Sequence, residues 1–256
     1  APYTIGYYLN AVDMKYDKNG EIVMQAENRR IYGKLFLRTF AISLAITMIC
    51  VILAYPISYL LATLPLRYSN LLMIFVLLPF WTSLLVRTTA WIAMLQTQGV
   101  LNDLFVFFGL VSDENRVQLI HNLTGTIIAM THILLPFMVL PLYSVMKTIP
   151  PSYMRAALSL GANPLVAFVR VYVPQTLSGI GAGSILVFIL SIGYYITPAL
   201  VGGTDGTLIS NQIAYHMQSS LNWGLAGALG ALLLFSVLAL YLLYNKIVGI
   251  DNMRLG

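Results

Sequence analysis

From Phe40 to Leu64 the chain reads FAISLAITMICVILAYPISYLLATL, without a single charged residue. A helix needs about 20 apolar residues to cross the hydrocarbon of a bilayer, so this run is long enough for one crossing. Inside hydrocarbon the backbone must hydrogen-bond to itself, which a helix does. Comparable runs recur along the chain. Hydrophobic residues make up 59% of the sequence and charged residues 9%, with a mean hydropathy of +0.81; ordinary soluble domains carry about 25% charged residues. Five or six crossings with short connections would use up the 256 residues, leaving no room for a separate soluble catalytic domain.

The pattern predicts an all-α, polytopic transmembrane bundle with about five spans. The first begins near Lys34 and ends at Leu64, with Pro56 inside it. The second covers Leu71–Leu95 and contains Pro79, the run Trp81-Thr-Ser and Arg87. The third, Leu123–Met146, includes Pro136 and Pro141. The fourth is Leu177–Leu200 and the fifth Gly224–Ile247. A proline within a span removes a backbone hydrogen bond, which membranes tolerate where neighbours repair the defect. Residues 1–33 mix charged and aromatic side chains without periodicity and read as an external arm, with 34–256 forming the membrane domain. Between the second and third spans, VLNDLFVFFGL is apolar but too short to cross, which predicts an interfacial helix. The Gly202-Gly-Thr-Asp-Gly stretch reads as a flexible outer turn, because no strand–helix unit follows it to make a phosphate cradle.

Parity of crossing puts Arg67, Lys147, Arg155, Arg170, Lys246 and Arg254 on one side, with Asp251 alone against them. The loops 96–121 and 199–222 on the other side carry Asp103, Asp113, Glu114 and Asp205 against Arg116. Cytoplasmic loops are enriched in Lys and Arg, so the first set is assigned to the cytoplasm. The N-terminus of this chain is then outside and its C-terminus cytoplasmic; a further span upstream of Ala1 would account for a start on the outside. A net charge of +5 can mean a nucleic-acid partner, but in a membrane protein Lys and Arg also mark the loops that stay inside, and their placement here implies no nucleic-acid partner. The single cysteine, Cys50, lies in an apolar run and offers neither a disulfide nor a cysteine metal site. His121, His132 and His216 are not spaced to gather around a metal. Asn122-Leu-Thr matches a glycosylation sequon by accident of position.

The segment Arg155–Pro174, RAALSLGANPLVAFVRVYVP, is helical in pattern yet not built for lipid. Just before it, the pair Pro150-Pro151 stops the preceding helix, and Ser152 is placed to cap a short helix Tyr153–Leu160. Gly161 sits where a left-handed C-terminal cap is wanted, and Asn163-Pro164 supplies an N-cap and first-turn proline for a second helix. Ala156 and Ala157 expose little side chain, so another protein can approach closely, and Met154, Leu158 and Leu160 add an apolar grip. An amphipathic linker resting on the inner leaflet fits this physics equally well. Pro174 marks the entry to the fourth span.

This segment resembles the EAA motif of binding-protein-dependent ABC importers. That motif runs Glu-Ala-Ala, then Gly at a fixed spacing, then an Ile-x-Leu-Pro end. Ala156, Ala157, Gly161 and Pro174 stand at motif spacing, with Val171 and Val173 as apolar stand-ins, while Arg155 occupies the place of the Glu. Pro79-Phe-Trp-Thr with Arg87, Leu134-Leu-Pro-Phe-Met-Val with Pro141-Leu-Tyr, and Gly202-Gly look like the spermidine/putrescine-type permeases of that family. The resemblance covers the chain from about Leu35 to its C-terminus. It implies a type I (MetI-like) permease of the bacterial inner membrane; such permeases have six spans, and this chain reads as lacking the first. It also implies that residues 150–174 form the coupling segment, with Arg155, Ala156, Ala157, Leu158 and Gly161 docking an ATPase subunit. The implied partners are a second permease, two ATPase subunits that bind ATP and Mg, a periplasmic solute-binding protein and membrane lipid.

The residues themselves agree on what the chain does not carry. No GxxxxGK[ST] phosphate loop occurs, so ATP must be split by another subunit. None of the nine acidic residues lies in an inferred span, whereas proton-coupled carriers commonly use buried carboxylates. This argues against a secondary carrier; an ATP-independent channel or carrier remains the rival class, and no constellation of titratable groups suggests an enzyme. Trp81, Thr82 and Ser83 after Pro79, and Tyr194, Tyr195 and Thr197 before Pro198, could line a solute pathway, since aromatic faces attract ammonium groups by about 0.5–2 kcal/mol each. An interfacial aromatic belt is the alternative for the tyrosines. Arg87 reads either as a pathway residue or as a structural arginine capping carbonyls or reaching toward the outer surface. The resemblance implies a polyamine as solute, with opines, amino-acid derivatives and other small organic cations as alternatives.

Overall fold

Where the sequence runs apolar, the computed structural model of the chain is helical, and it describes residues 5–248. Among the described residues four helices are long and apolar enough to cross a membrane: Tyr32–Thr63, Leu123–Thr148, Pro164–Gly193 and Trp223–Lys246. A fifth span results if Leu66–Trp81 and Leu84–Phe107 count as one. Arg254 and Asp251, used above for sidedness, lie outside the described residues, as does the C-terminus. The described chain forms two compact units. One takes residues 5–45, 84–130 and 191–242; the other takes 46–83, 131–190 and 243–248.

The first unit opens with helix α1 (Gly6–Ala11), the antiparallel hairpin β1 (Met14–Tyr16) and β2 (Ile22–Met24), and one turn of 3-10 helix at Glu27–Arg29. The stretch without periodicity is therefore folded. Its purpose is visible at Asp13, a buried residue with a left-handed backbone (φ 61°). One carboxylate oxygen accepts from the amides of Ile31 and Tyr32, each at 3.1 Å, and the other from Gly33 at 2.8 Å. These donors sit at the start of helix α2 (Tyr32–Thr63), where amides have no partner within the helix. An anionic cap there also complements the helix dipole. Ala11, Tyr32 and Leu35 pack with Ile209, Leu225, Ala228 and Leu229, while Tyr7 lies against Gly224, where any side chain would meet its ring.

Helices α4 (Leu84–Leu95) and α5 (Val100–Phe107) follow in the same unit. Buried Asn102 on α5 donates to the carbonyls of Gln96 and Val117 and accepts from the Val117 amide, clamping the loop that leads to helix α6 (Leu123–Thr148). Asn122 caps α6 through the Gly125 amide at 2.9 Å, which gives the sequon residue a structural role. The glycine loop is packed rather than open: a Cβ at Gly202 or Gly206 would lie within 2.5 Å of Thr126 Oγ1. Arg38 donates to the Thr204 carbonyl at 3.1 Å. The flexible turn expected from composition is a close-packed one, because the glycines admit the Thr126 hydroxyl.

In the second unit α6 is the centre, with Ile133, Leu134, Met138, Val139 and Leu142 fully buried. Ser58 Oγ donates to the Val139 carbonyl at 3.2 Å and Cys50 Sγ to that of Thr131 at 3.7 Å, both close to the prolines of α6. Helix α9 (Val173–Gly193) presents Gly179 and Gly183 to α6. A Cβ at Gly179 would stand 3.1 Å from the Leu142 Cα, and one at Gly183 would meet the Met138 sulfur. Small residues spaced four apart let helix backbones approach closely in a membrane.

Two expected spans are corrected. The second, Leu71–Leu95, is not one helix: α3 (Leu66–Leu77) tightens into a 3-10 turn at Leu78–Trp81 around Pro79, and Thr82 is extended (φ −101°, ψ 145°) before α4 begins. The fourth, Leu177–Leu200, starts far earlier, because helix α8 (Pro164–Ala167) runs through a π turn at Phe168–Tyr172 into α9 without a break at Pro174. It ends at Gly193, and a separate helix α10 (Ile196–Val201) follows. Helices α11 (Ile209–Gln218) and α12 (Trp223–Val248) complete the described chain.

Asp13→Ala should strip three amides of their acceptor and destabilise the fold by about 2 kcal/mol, the upper end for loss of a cap; Asp13→Asn should cost less, and thermal unfolding in detergent measures both. His216 contacts Tyr32 Oη at 2.9 Å and Ser220 Oγ at 2.8 Å, and burial pushes its imidazole below the usual value. The unfolded chain then binds the proton more readily, so this contribution to stability should be full above about pH 6.5 and be lost as pH falls from there through the lowered folded value. His216→Gln should flatten that slope in a series of melting curves.

Candidate functional site

The segment unsuited to lipid folds as an exposed helix–turn–helix in the second unit. Helix α7 (Pro151–Ser159) has no buried residue. Its N-cap is Pro150 and no side chain caps it, which corrects the role expected of Ser152: the helix starts two residues early, at Pro151, so Ser152 already lies inside the first turn. Proline at the first helical position needs no hydrogen-bond partner for a missing N–H.

The end of α7 is set by Gly161, whose φ of +86° is left-handed. The Ala162 amide donates to the Ala157 carbonyl at 3.1 Å and the Gly161 amide to that of Leu158 at 3.0 Å. This pair of bonds is a Schellman motif, which satisfies carbonyls the helix leaves open. Nothing lies within 4 Å of where a Gly161 Cβ would be, so the glycine is required by backbone conformation rather than by space. Asn163 Oδ1 then accepts from the Leu165 amide at 3.0 Å, with Pro164 at the first position of α8. Both capping expectations are met.

Arg155, Ala156, Leu158 and Leu160 are exposed and Ala157 half-buried, with Leu160 at 89%. The surface is thus a cation, a flat small-residue patch and two leucines. It is attached firmly. Phe168 and Tyr172 of the π turn stack at 5.4 Å, and Tyr59 of α2 meets both edge-on at 5.3 Å. The wide turn precedes Pro174, which cannot donate and crowds the turn before it. Gln175 Nε2 donates to the Val171 carbonyl at 2.7 Å, supplying a side-chain bond beside it.

The expected pathway residues divide between the units. In the second, Trp81 is 90% exposed at the end of the 3-10 turn, and Thr82 Oγ1 donates to the Pro79 carbonyl at 2.9 Å. In the first, Arg87 on α4 lies close enough to Tyr194 for its charge to act on the phenol. Tyr194 and Tyr195 are not on a helix, as their placement in the fourth span implied, but in the break between α9 and α10. The carbonyls freed there are taken by α11: Ser210 Oγ donates to Tyr194 at 2.6 Å and Asn211 Nδ2 to Tyr195 at 2.8 Å. Thr88 and Thr197, both fully buried, meet hydroxyl to hydroxyl at 3.3 Å where α4 packs on α10. Thr197 thus bonds to a neighbouring helix. Sequence reasoning missed Thr88, Ser210 and Asn211; Pro198 was the one local signal of a break.

The second unit also holds a cavity of about 350 Å³ lined mainly by hydrocarbon from α2, α3 and α6, with His132 on its wall. Among the described residues no three His, Cys, Asp or Glu side chains gather as a metal site.

Residues 54–250 match the family of binding-protein-dependent transport system inner membrane components. The chain belongs to this family. It is a multi-pass inner-membrane component, and its relatives are transport permeases rather than enzymes. The spermidine/putrescine transport system permease protein PotB of Escherichia coli is 33% identical over 213 residues, covering 83% of this chain and 76% of that protein. PotB of Haemophilus influenzae is 32% identical over 222 residues, covering 86% and 77%. The inner membrane ABC transporter permease protein YdcU of Escherichia coli is 34% identical over 230 residues, covering 84% and 71%. In three dimensions the chain is similar to one in a bacterial alginate ABC transporter, crystallised with an alginate pentasaccharide-bound periplasmic protein. That match has a TM-score of 0.68 at 16% identity and covers 91% of this chain and 82% of that one, a likeness of fold.

If Gly161 serves backbone conformation alone, Gly161→Ala should cost about 1 kcal/mol locally, the penalty of a left-handed non-glycine residue. Hydrogen exchange at the amides of residues 161 and 162 should speed up, and Gly161→Asn should restore much of the protection.

Proposed function

We propose that this chain is one permease subunit of an ATP-driven importer for a polyamine, with α7 as the element that docks an ATPase subunit. The observation that carries the reading is the surface of α7, where Arg155, Ala156 and Leu158 are exposed, Ala157 is half-buried beside them and the helix closes at Gly161. A helix with no buried residue gains nothing from its own fold by presenting leucines to water, so a partner surface accounts for it. Continuity from Pro164 to Gly193 supports a mechanical role: a displacement of α7 would be carried along a stiff helix into the membrane. The loop side bearing Arg67, Lys147, Arg155 and Arg170 is then cytoplasmic by the positive-inside rule, the N-terminus of this chain is outside and the C-terminus cytoplasmic.

In this mechanism the chain performs no chemistry. Two ATPase subunits bind ATP and Mg, close together and carry the docked segments inward; the permease pair opens outward to receive solute from the external binding protein. Hydrolysis reverses the movement. Trp81, Thr82, Arg87, Tyr194 and Tyr195 are the residues proposed to border the solute's route, with the aromatic faces suited to an amine. The names of the relatives in two organisms support spermidine or putrescine; opines, amino-acid derivatives and other small organic cations are the alternatives within the same importer class.

The test is ATP hydrolysis by the complete complex with its binding protein, against a panel of solutes. Spermidine or putrescine should stimulate it, and Ala157→Arg should cut the stimulation by roughly tenfold or more, a loss of over 1 kcal/mol of coupling, while the chain remains in the membrane. Undiminished stimulation in Ala157→Arg would remove α7 from the docking role. Uptake by this chain alone in liposomes without ATP would establish a channel or carrier instead.

A further inference from the structure

All of the charged side chains described in the second unit are cationic. Arg67, Lys147, Arg155, Arg170 and Lys246 are exposed, and residues 46–83, 131–190 and 243–248 contain no Asp or Glu. The ion pairs found among the described residues, Arg116 with Asp103 and with Asp113, belong to the first unit. Lys147 has its ammonium on the Ala62 carbonyl at 3.2 Å. The Arg155 guanidinium stands beside Ala156 on the outward face of α7, with no carboxylate described in its unit.

Resting on the docking role of α7 proposed above, we infer that Arg155 is a specificity residue that meets a carboxylate of the ATPase subunit. A small-residue patch invites close approach, so a docked partner covers Arg155 and takes it out of water. A guanidinium covered without a counter-charge is costly, and its planar fork is matched best by a carboxylate. Its own unit offers none among the described residues, so the partner must supply it. An ATPase subunit with a cation or an apolar residue at that place is rejected, because an unpaired charge would be buried. The same charge pattern could draw anionic lipid headgroups, but α7 carries its cation among alanines and leucines, a mixture that suits a protein cleft with one acid in it.

The test uses the complete complex carrying Arg155→Lys, treated with a carbodiimide, which joins an amine to an adjacent carboxylate and leaves arginine unmodified. A cross-link from position 155 to an Asp or Glu of the ATPase subunit, found by mass spectrometry, is the expected result. Arg155→Glu should lower solute-stimulated ATP hydrolysis by roughly tenfold or more, as breaking a covered charge pair does, and exchanging the cross-linked acid for arginine in the same complex should restore most of it. Full activity in Arg155→Glu, or a cross-link only within this chain or to the second permease, overturns the inference. The docking reading fails separately: it falls if Ala157→Arg keeps its stimulation, whereas the carboxylate can be absent while Ala157→Arg still uncouples.

Discussion

A backbone amide or carbonyl in hydrocarbon has no water to bond to, and this constraint organises the chain. Long uninterrupted helices meet it without help. Where the helices are interrupted, other groups step in: the Asp13 carboxylate at the start of α2, Ser210 and Asn211 at the break after Gly193, and Gln175 beside the π turn. Asp13, Ser210 and Asn211 come from elsewhere in the chain, so the interruptions they repair become the points where separate elements are tied together, whereas Gln175 bonds within its own helix. A backbone group left unbonded away from water costs about 1–3 kcal/mol, so each tie removes a penalty larger than an ordinary surface contact could offset.

The same accounting distinguishes the exposed helix from the membrane helices. In α7 the open ends are satisfied locally, by a proline at its start and a Schellman turn at its end. The helix therefore needs no neighbour to complete its hydrogen bonds, and its face stays exposed. Its attachment is made further along the chain, where Phe168 and Tyr172 lie against Tyr59. An exposed surface and a firm anchorage are thus built from adjoining segments with opposite burial.

Much of this architecture was legible in the sequence. Apolar runs predicted the spans starting at Leu123 and Trp223 to within about two residues at either end, and Gly161 with Asn163-Pro164 predicted the turn, because φ > 0 and a missing N–H are properties of single residues. The breaks at Thr82 and at Tyr194-Tyr195 were missed, each lying inside an expected span. Hydropathy cannot show them, since the apolar run continues across a break whenever distant side chains repair it. The N-terminal hairpin was illegible for a related reason: its value lies in placing Asp13 beside the Tyr32 amide, 19 positions later.

The sequence alone determined that the chain is a membrane bundle, which of its segments is unsuited to lipid, and which family its motifs resemble, because hydrophobicity, turn conformation and motif spacing are local quantities. Tertiary structure decided which polar groups complete the interrupted helices, that the glycine loop closes on Thr126, and that Arg155 stands exposed with no carboxylate described in its unit. The first two depend on groups far apart in the chain being brought into contact, within about 3 Å where hydrogen bonds form, and the third on no part of the fold covering Arg155; no run of residues specifies either by itself.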